Sequence, residues 1–133
     1  MDSSVPRGIA NANPGNIRHS RDAWQGEAAL QSDPSFVQFK APEWGIRAIV
    51  KILRNYKAAG ITTIASAVSR WAPPAENNTK SYTDDVCASC NIGPYTPVDL
   101  DTIMPDLVKA IIRHENGVMP YPDALIQRGI DLA

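Results

Sequence analysis

The carboxylate with the most telling local setting is Glu115, in the run Ala110-Ile111-Ile112-Arg113-His114-Glu115-Asn116-Gly117. The apolar residues before it predict a buried helix, and Asn116-Gly117 is a good left-handed stop. A carboxylate in the last turn faces the negative end of the helix dipole. That field and partial burial both favour the neutral carboxyl. A neutral carboxyl is what a general acid needs in order to protonate a glycosidic oxygen. The competing reading is a solvated Glu paired with Arg113 or His114. Glu43 is the second candidate, in Lys40-Ala41-Pro42-Glu43-Trp44, where a strand gives way to a helix. Its position in a first turn equally suits a Glu that complements a helix N-terminus. Glu76 precedes another predicted helix, and Glu27 sits in a loop without supporting context.

Around these acids lie groups suited to a neutral sugar. Asn13, Asn16, Asn77 and Asn78 offer amide donors and acceptors for hydroxyl and acetamido groups, and equally suit turns and caps. Trp24, Trp44 and Trp71 are candidate ring platforms, with at most one expected in a groove because large aromatics are usually core. Tyr82 either offers its hydroxyl to the acid or to an acetamido group, or packs with Val86 in the core. Arg18 and Arg47 either hold the N-terminal region to the helices or contact a carboxylate of the ligand. Cys87 and Cys90 form a single C-x-x-C, with His19 and His114 remote in sequence. Four convergent metal ligands are not offered, so no metal site and no cofactor are expected. The pair falls late in a predicted helix, away from the N-terminus that would activate a thiol, and reads as two small half-buried residues.

The elements that must position these groups follow from periodicity. Residues 1–34 are rich in Gly, Pro, Asn, Asp and Ser and read as loop, with a short strand piece at Asn16-Ile17-Arg18. Ser35-Phe36-Val37-Gln38-Phe39-Lys40 alternates apolar and polar, which predicts a second strand and a small β-ribbon. From Pro42 the period changes, and Ile46, Ile49, Val50, Leu53 and Tyr56 mark one face of a helix ending near Gly60. Thr62 or Thr63 caps a short helix to about Arg70, and Asn77, Asn78 or Thr79 caps one running to Cys90. Asp99 begins a stretch interrupted or restarted at Met104-Pro105, and a last helix spans Pro122 to Asp131. The expected fold is mainly α, with about five helices behind a small ribbon, in one domain over residues 1–133.

Composition narrows the function classes. The hydrophobic fraction of 44% supports a real core. A net charge of −1 argues against a nucleic-acid binder. No run approaches the roughly 18 apolar residues needed for membrane insertion. Met1-Asp2-Ser3-Ser4-Val5-Pro6-Arg7 lacks the basic start and apolar run of an export signal. The chain is therefore expected to be made in a cytoplasm and carried to any external target by phage injection, holin-assisted release or a secretion machine.

Three segments carry a resemblance. The helix ending in Glu, a polar residue and Gly looks like the "ESG" signature of lytic transglycosylases and goose-type lysozymes. Asn11-Ala12-Asn13-Pro14-Gly15-Asn16-Ile17-Arg18, Trp24-Gln25-Gly26, Phe36-Val37-Gln38-Phe39 and Trp44-Gly45-Ile46-Arg47-Ala48 resemble phage proteins of the "NNPGNIR" type. They are also distantly similar to the "NNLFGIK" region of flagellar and autolytic glucosaminidases. Glu76-Asn77-Asn78-Thr79-Lys80-Ser81-Tyr82 resembles the "ET–YV" segment of soluble lytic transglycosylases, whose tyrosine borders the catalytic site. Together the segments cover most of Arg7 to Tyr121. The resemblance implies a lysozyme-like α+β domain that cleaves peptidoglycan glycan strands in the periplasm or cell wall, as a muramidase that uses water or a lytic transglycosylase that uses the substrate's own 6-hydroxyl. Glu115 would be its acid; Glu43 looks like the second acidic residue near the ribbon of glucosaminidases, which would orient a water or stabilise an oxocarbenium-like transition state, and it becomes the main candidate if the fold is not permuted. In that superfamily the catalytic Glu precedes the ribbon, whereas residues 1–15 here contain none. A circular permutation, placing the late helix where the first usually stands, repairs the difference. If a secretion machine delivers the activity, a small inhibitor (immunity) protein that plugs the groove is expected in the producer. A virion structural protein that keeps the fold without activity is the alternative. A helix-turn-helix over Thr62 to Tyr82 fits poorly, because Pro73-Pro74 and a long polar insert replace the short turn.

Overall fold

Pro42 opens the longest helix because a first-turn residue needs no backbone N–H partner, and Glu43 in the same turn complements the helix dipole. This computed structural model describes residues 5–75 and 77–133. Its helices are α1 (Arg7–Ala10), α2 (Pro42–Ala58), α3 (Ile64–Trp71), α4 (Thr79–Cys90), α5 (Met104–Asn116) and α6 (Asp123–Leu132). The protein is mainly helical. Ile46, Ile49, Val50 and Leu53 of α2 are buried as one stripe. The Thr63 hydroxyl accepts the Ser66 N–H at 3.2 Å to cap α3, and the Asn78 side chain accepts the Ser81 N–H at 3.1 Å to cap α4. Asn91 closes α4 and Gly117 closes α5, both in the left-handed conformation.

Packing joins these elements into one core. α6 lies against α2, α4 against α5, and α3 against α4, while α5 also meets α1, α2 and α6. Leu107, Val108, Ile111 and Ile112 of α5 are buried, so this helix carries apolar contacts on several sides. No helix among the described residues is long and apolar enough to cross a membrane.

Three expectations need correction. The predicted β-ribbon is absent: among the described residues there are only two isolated antiparallel bridges, Arg18 with Phe36 and Glu27 with Phe39. Side chains take the backbone groups that a ladder would have used. Asn13 donates to the carbonyls of Ile17 (2.9 Å) and Val37 (2.8 Å) and accepts the Ile17 N–H (3.0 Å). Gln31 accepts the Gln38 N–H and donates to the Gln38 carbonyl, while Asp33 accepts the N–H groups of Ser35 and Phe36. The segment read as loop also contains the one-turn α1. Finally, Asp99 to Ile103 form turns, and α5 starts only at Met104, where Pro105 falls in the first turn.

Asp33 is the hub of this ribbonless region. Its carboxylate is nearly buried, and it accepts Arg7 Nη2 at 2.6 Å, Arg7 Nε at 2.7 Å and Asn11 Nδ2 at 2.9 Å. Hydrogen bonds from Arg7 hold its carboxyl well below the usual carboxylate range, outweighing the opposing effect of burial. A depressed carboxyl contributes stability above its unfolded value of about 4, and loses it as pH falls toward the folded value. Stability is therefore expected to decline on acidification below about pH 4, and Asp33→Asn to give a shallower decline in urea titrations across that range. At the α2–α6 contact, a Cβ on Gly129 would lie 2.3 Å from Ile46 Cγ2 and 2.6 Å from Ile46 Cβ. Helix propensity favours Ala over Gly by about 1 kcal/mol. Overpacking costs about 1–3 kcal/mol, so it wins, and Gly129→Ala is expected to lower the thermal midpoint.

Candidate functional site

The cleft that contains Glu115 has a volume of about 320 Å³. Residues 15–18 and Phe36 come from the N-terminal region, Ile52 and Tyr56 from α2, Trp71 from the end of α3, and Asn77 from the turn before α4. Glu115 enters from the last turn of α5 and is the one carboxylate lining the cleft among the described residues.

Both of its oxygens are held. The Tyr82 hydroxyl donates to Oε2 at 2.9 Å, and Asn16 Nδ2 donates to Oε1 at 3.1 Å. Neither Arg113 nor His114 takes the carboxylate; His114 Nδ1 instead lies 2.8 Å from Asp85 Oδ2. Tyr82 is 1% exposed. Burial, reinforced by the neighbouring Glu115 charge, pushes its phenol far above the ordinary value, so it remains a neutral donor. Its ring stacks on His114 with centroids 3.8 Å apart. Tyr82 and Asp85 stand at i and i+3 on α4, while His114 and Glu115 are adjacent on α5. The α4–α5 packing thus sets the hydroxyl on the acid.

The second donor depends on a close approach. Asn16 adopts φ 51°, a left-handed conformation that Asn tolerates better than most residues. Asn116 Nδ2 donates to the carbonyls of Pro14 at 2.8 Å and Ile112 at 2.9 Å, tying the Asn-Pro-Gly-Asn turn to the end of α5. A Cβ on Gly8 would lie 2.6 Å from Asn116 Oδ1, 2.7 Å from Asn16 Oδ1 and 2.9 Å from the Asn13 carbonyl oxygen. Only a hydrogen fits there. The two amide oxygens are buried and accept no conventional hydrogen bond among the described residues.

The other predicted residues divide between the cleft and the scaffold. Asn77 lines the cleft, and its Nδ2 donates to the Pro73 carbonyl at 3.2 Å. Asn13 is fully buried and Asn78 caps a helix, so both serve the backbone. Trp24 packs against the core and does not line the cleft. Trp44 covers Gly26, and Trp71 is the tryptophan in the cleft. Glu43 does not line the cleft: it stays in the first turn of α2 and accepts from Arg128 Nε of α6 at 3.3 Å. That helix-terminal role is the physical reason to remove it from the site. Glu27 accepts the Trp24 N–H at 2.7 Å, and Arg47 donates to the Leu132 carbonyl at 3.1 Å. Glu76 lies outside the described residues. Cys87 and Cys90 are free thiols in the last turn of α4, and burial pushes Cys90 up to about 11. No three His, Cys, Asp or Glu side chains gather into a metal-holding group among the described residues.

Sequence reading missed Phe36, Ile52 and Tyr56 as cleft residues. Tyr56 stands at the far end of the α2 apolar stripe, and an amphipathic side chain at a stripe's edge is the one signal that pointed outward.

Fold and site define a small helical protein whose aromatic-walled cleft presents one carboxylate, held by a buried tyrosine and an asparagine. No family model matches the chain. It is 39% identical over 133 residues to Protein P5 of Pseudoalteromonas phage PM2, covering 97% of this chain and 82% of that protein. The chain belongs to the family of this phage protein.

Gly8→Ala is expected to displace Asn16 from Glu115 and to cost about 1–3 kcal/mol in chemical denaturation. The Asn16 side-chain amide signals in an NMR spectrum should shift with it. An unchanged Asn16 environment would contradict the close-approach account.

Proposed function

We propose that this chain is a lysozyme-like enzyme, borne by a phage, that cleaves the glycan strands of peptidoglycan with Glu115 as general acid. The observation that carries the reading is that Glu115 and Asn16 line the cleft and are hydrogen-bonded there, while the buried Tyr82 hydroxyl donates to the other oxygen of Glu115. A hydroxyl and an amide aim the carboxyl, and Trp71 and Tyr56 line the cleft as aromatic surfaces against which sugar rings can pack. The volume falls within the range of ligand clefts. The terminal turn of α5 meets residues 8–16 across 99 positions of sequence, the neighbourhood that the permuted arrangement requires. A phage relative supports delivery to a bacterial wall.

The reaction follows from the donor set. Glu115 gives its proton to the glycosidic oxygen as the C1–O bond breaks, leaving an oxocarbenium-like C1. With no second carboxylate lining the cleft among the described residues, a carboxylate nucleophile is not supplied there. The 6-hydroxyl of the same sugar attacks C1 and returns its proton to Glu115. The products are a 1,6-anhydro end and a free 4-hydroxyl. Tyr82 and Asn16 hold the carboxylate between the two proton transfers.

Zymography on peptidoglycan tests the reading. Glu115→Gln is expected to lose about 10²–10⁴-fold in rate, the usual worth of a general acid. Tyr82→Phe, which removes one charge-assisted hydrogen bond, is expected to lose about 10- to 100-fold. Mass spectrometry of released fragments should show anhydro ends; reducing ends would place a water in the second step. Clearing by Glu115→Gln, or none by the wild-type chain, would sink the proposal.

A further inference from the structure

We infer that Arg18 binds a carboxylate displayed on the glycan, so that the cleft selects an anionic strand over a neutral one of the same ring chemistry. This inference rests on the glycan reading above. Arg18 lines the same cleft as Glu115 and is exposed to it. Its backbone is pinned by the bridge to Phe36, with Val37 N–H donating to the Ile17 carbonyl at 3.0 Å and His19 N–H to the Ser35 carbonyl at 3.1 Å. Its guanidinium lies over the Phe36 ring, 5.0 Å from the centroid. The charge is therefore held on an aromatic support at a fixed place in the cleft.

Arg7 provides the contrast. It lies over the same ring at 4.6 Å, but its Nε and Nη2 are both engaged by Asp33. Arg18 makes no ion pair or side-chain hydrogen bond among the described residues. The other charged residue lining the cleft is Glu115, whose two oxygens are already taken by Tyr82 and Asn16.

The ligand chemistry follows. Hydroxyl and acetamido groups are met by amides and aromatic faces, and neither calls for a cation. A guanidinium presents parallel N–H groups that match a carboxylate, and the pairing is charge-assisted. A peptidoglycan strand carries carboxylates in two places. The lactyl group of the muramyl sugar is a free acid where the peptide has been removed. Where the peptide is attached, that acid is an amide and the peptide bears the carboxylates.

Calorimetric binding to the full chain separates these cases. The Glu115→Gln chain, with and without Arg18→Gln, is titrated with three saccharides of equal length: peptide-bearing strands, peptide-free muramyl strands, and neutral N-acetylglucosamine oligomers. Arg18→Gln is expected to weaken one of the two carboxylate-bearing ligands by about 10- to 100-fold and to leave the neutral oligomer unchanged. The arm that weakens identifies which carboxylate is bound. Arg18→Lys, which keeps the charge and loses the fork, should recover part of the affinity. Thermal melts confirm that each variant is folded. Equal weakening of the neutral oligomer, or unchanged affinity for both charged ligands, would overturn the role of Arg18 while leaving the glycan reading intact. Binding of none of the three, with Arg18 present, would overturn both.

Discussion

Every N–H and C=O withdrawn from water needs a partner, and residues 11–40 must find theirs without a ladder of strands. Scattered backbone pairs such as Val37 N–H with the Ile17 carbonyl supply some, and Asn13, Gln31, Asp33 and Gln38 supply others, each reaching backbone groups several residues away. The rest of the site depends on this device. It holds Phe36 and Arg18 in the cleft wall, and it presents the Asn-Pro-Gly-Asn turn to the end of α5. Such side-chain bonds are individually modest, about 0.5–1.5 kcal/mol net. A buried amide left unpaired costs more than the bond is worth, so the network is held together chiefly by the penalty for leaving it incomplete.

Glu115 stands where two separately built bodies meet. From one side Tyr82 arrives on α4, its ring braced by His114 and its position set by the packing of α4 on α5. From the other side Asn16 arrives on an irregular turn, its place set by Gly8 and Asn116. Helical packing is stiff, while the turn is held by side-chain bonds. The acid therefore inherits its orientation mainly from Tyr82 and its enclosure from the N-terminal region. An acid ending a helix suits this position, because the last turn projects a side chain beyond the bundle without breaking the core behind it. Ile111 and Ile112 remain buried within three or four residues of a side chain that lines the cleft.

Among the described residues Glu115 is the carboxylate in the cleft, and the proposed reaction uses one. Aromatic faces and amides bind rings without charge, and an attacking hydroxyl already present on the substrate needs placement more than activation. The two acids that looked alike locally then have different tasks. Glu43 complements a helix start and pairs with Arg128, which helps fasten α6 to α2. Glu115 alone meets the open space.

Periodicity and capping residues made the helices legible. The stripe of Ile46, Ile49, Val50 and Leu53, the caps Thr63 and Asn78, and the stop at Gly117 all appear where local rules put them. That Glu115 ends a buried helix was equally readable. Ser35 to Lys40 misled, because alternation says which residues face inward but not which groups will satisfy the backbone. Here distant Asn and Gln side chains outcompeted a neighbouring strand. Only the tertiary structure decided which carboxylate takes the Tyr82 hydroxyl and shares a cleft with Asn16, Trp71 and Arg18. Those meetings join positions 33 and 99 residues apart. Local sequence sets dihedral preference and facing, whereas a cleft is what remains between elements after they have packed.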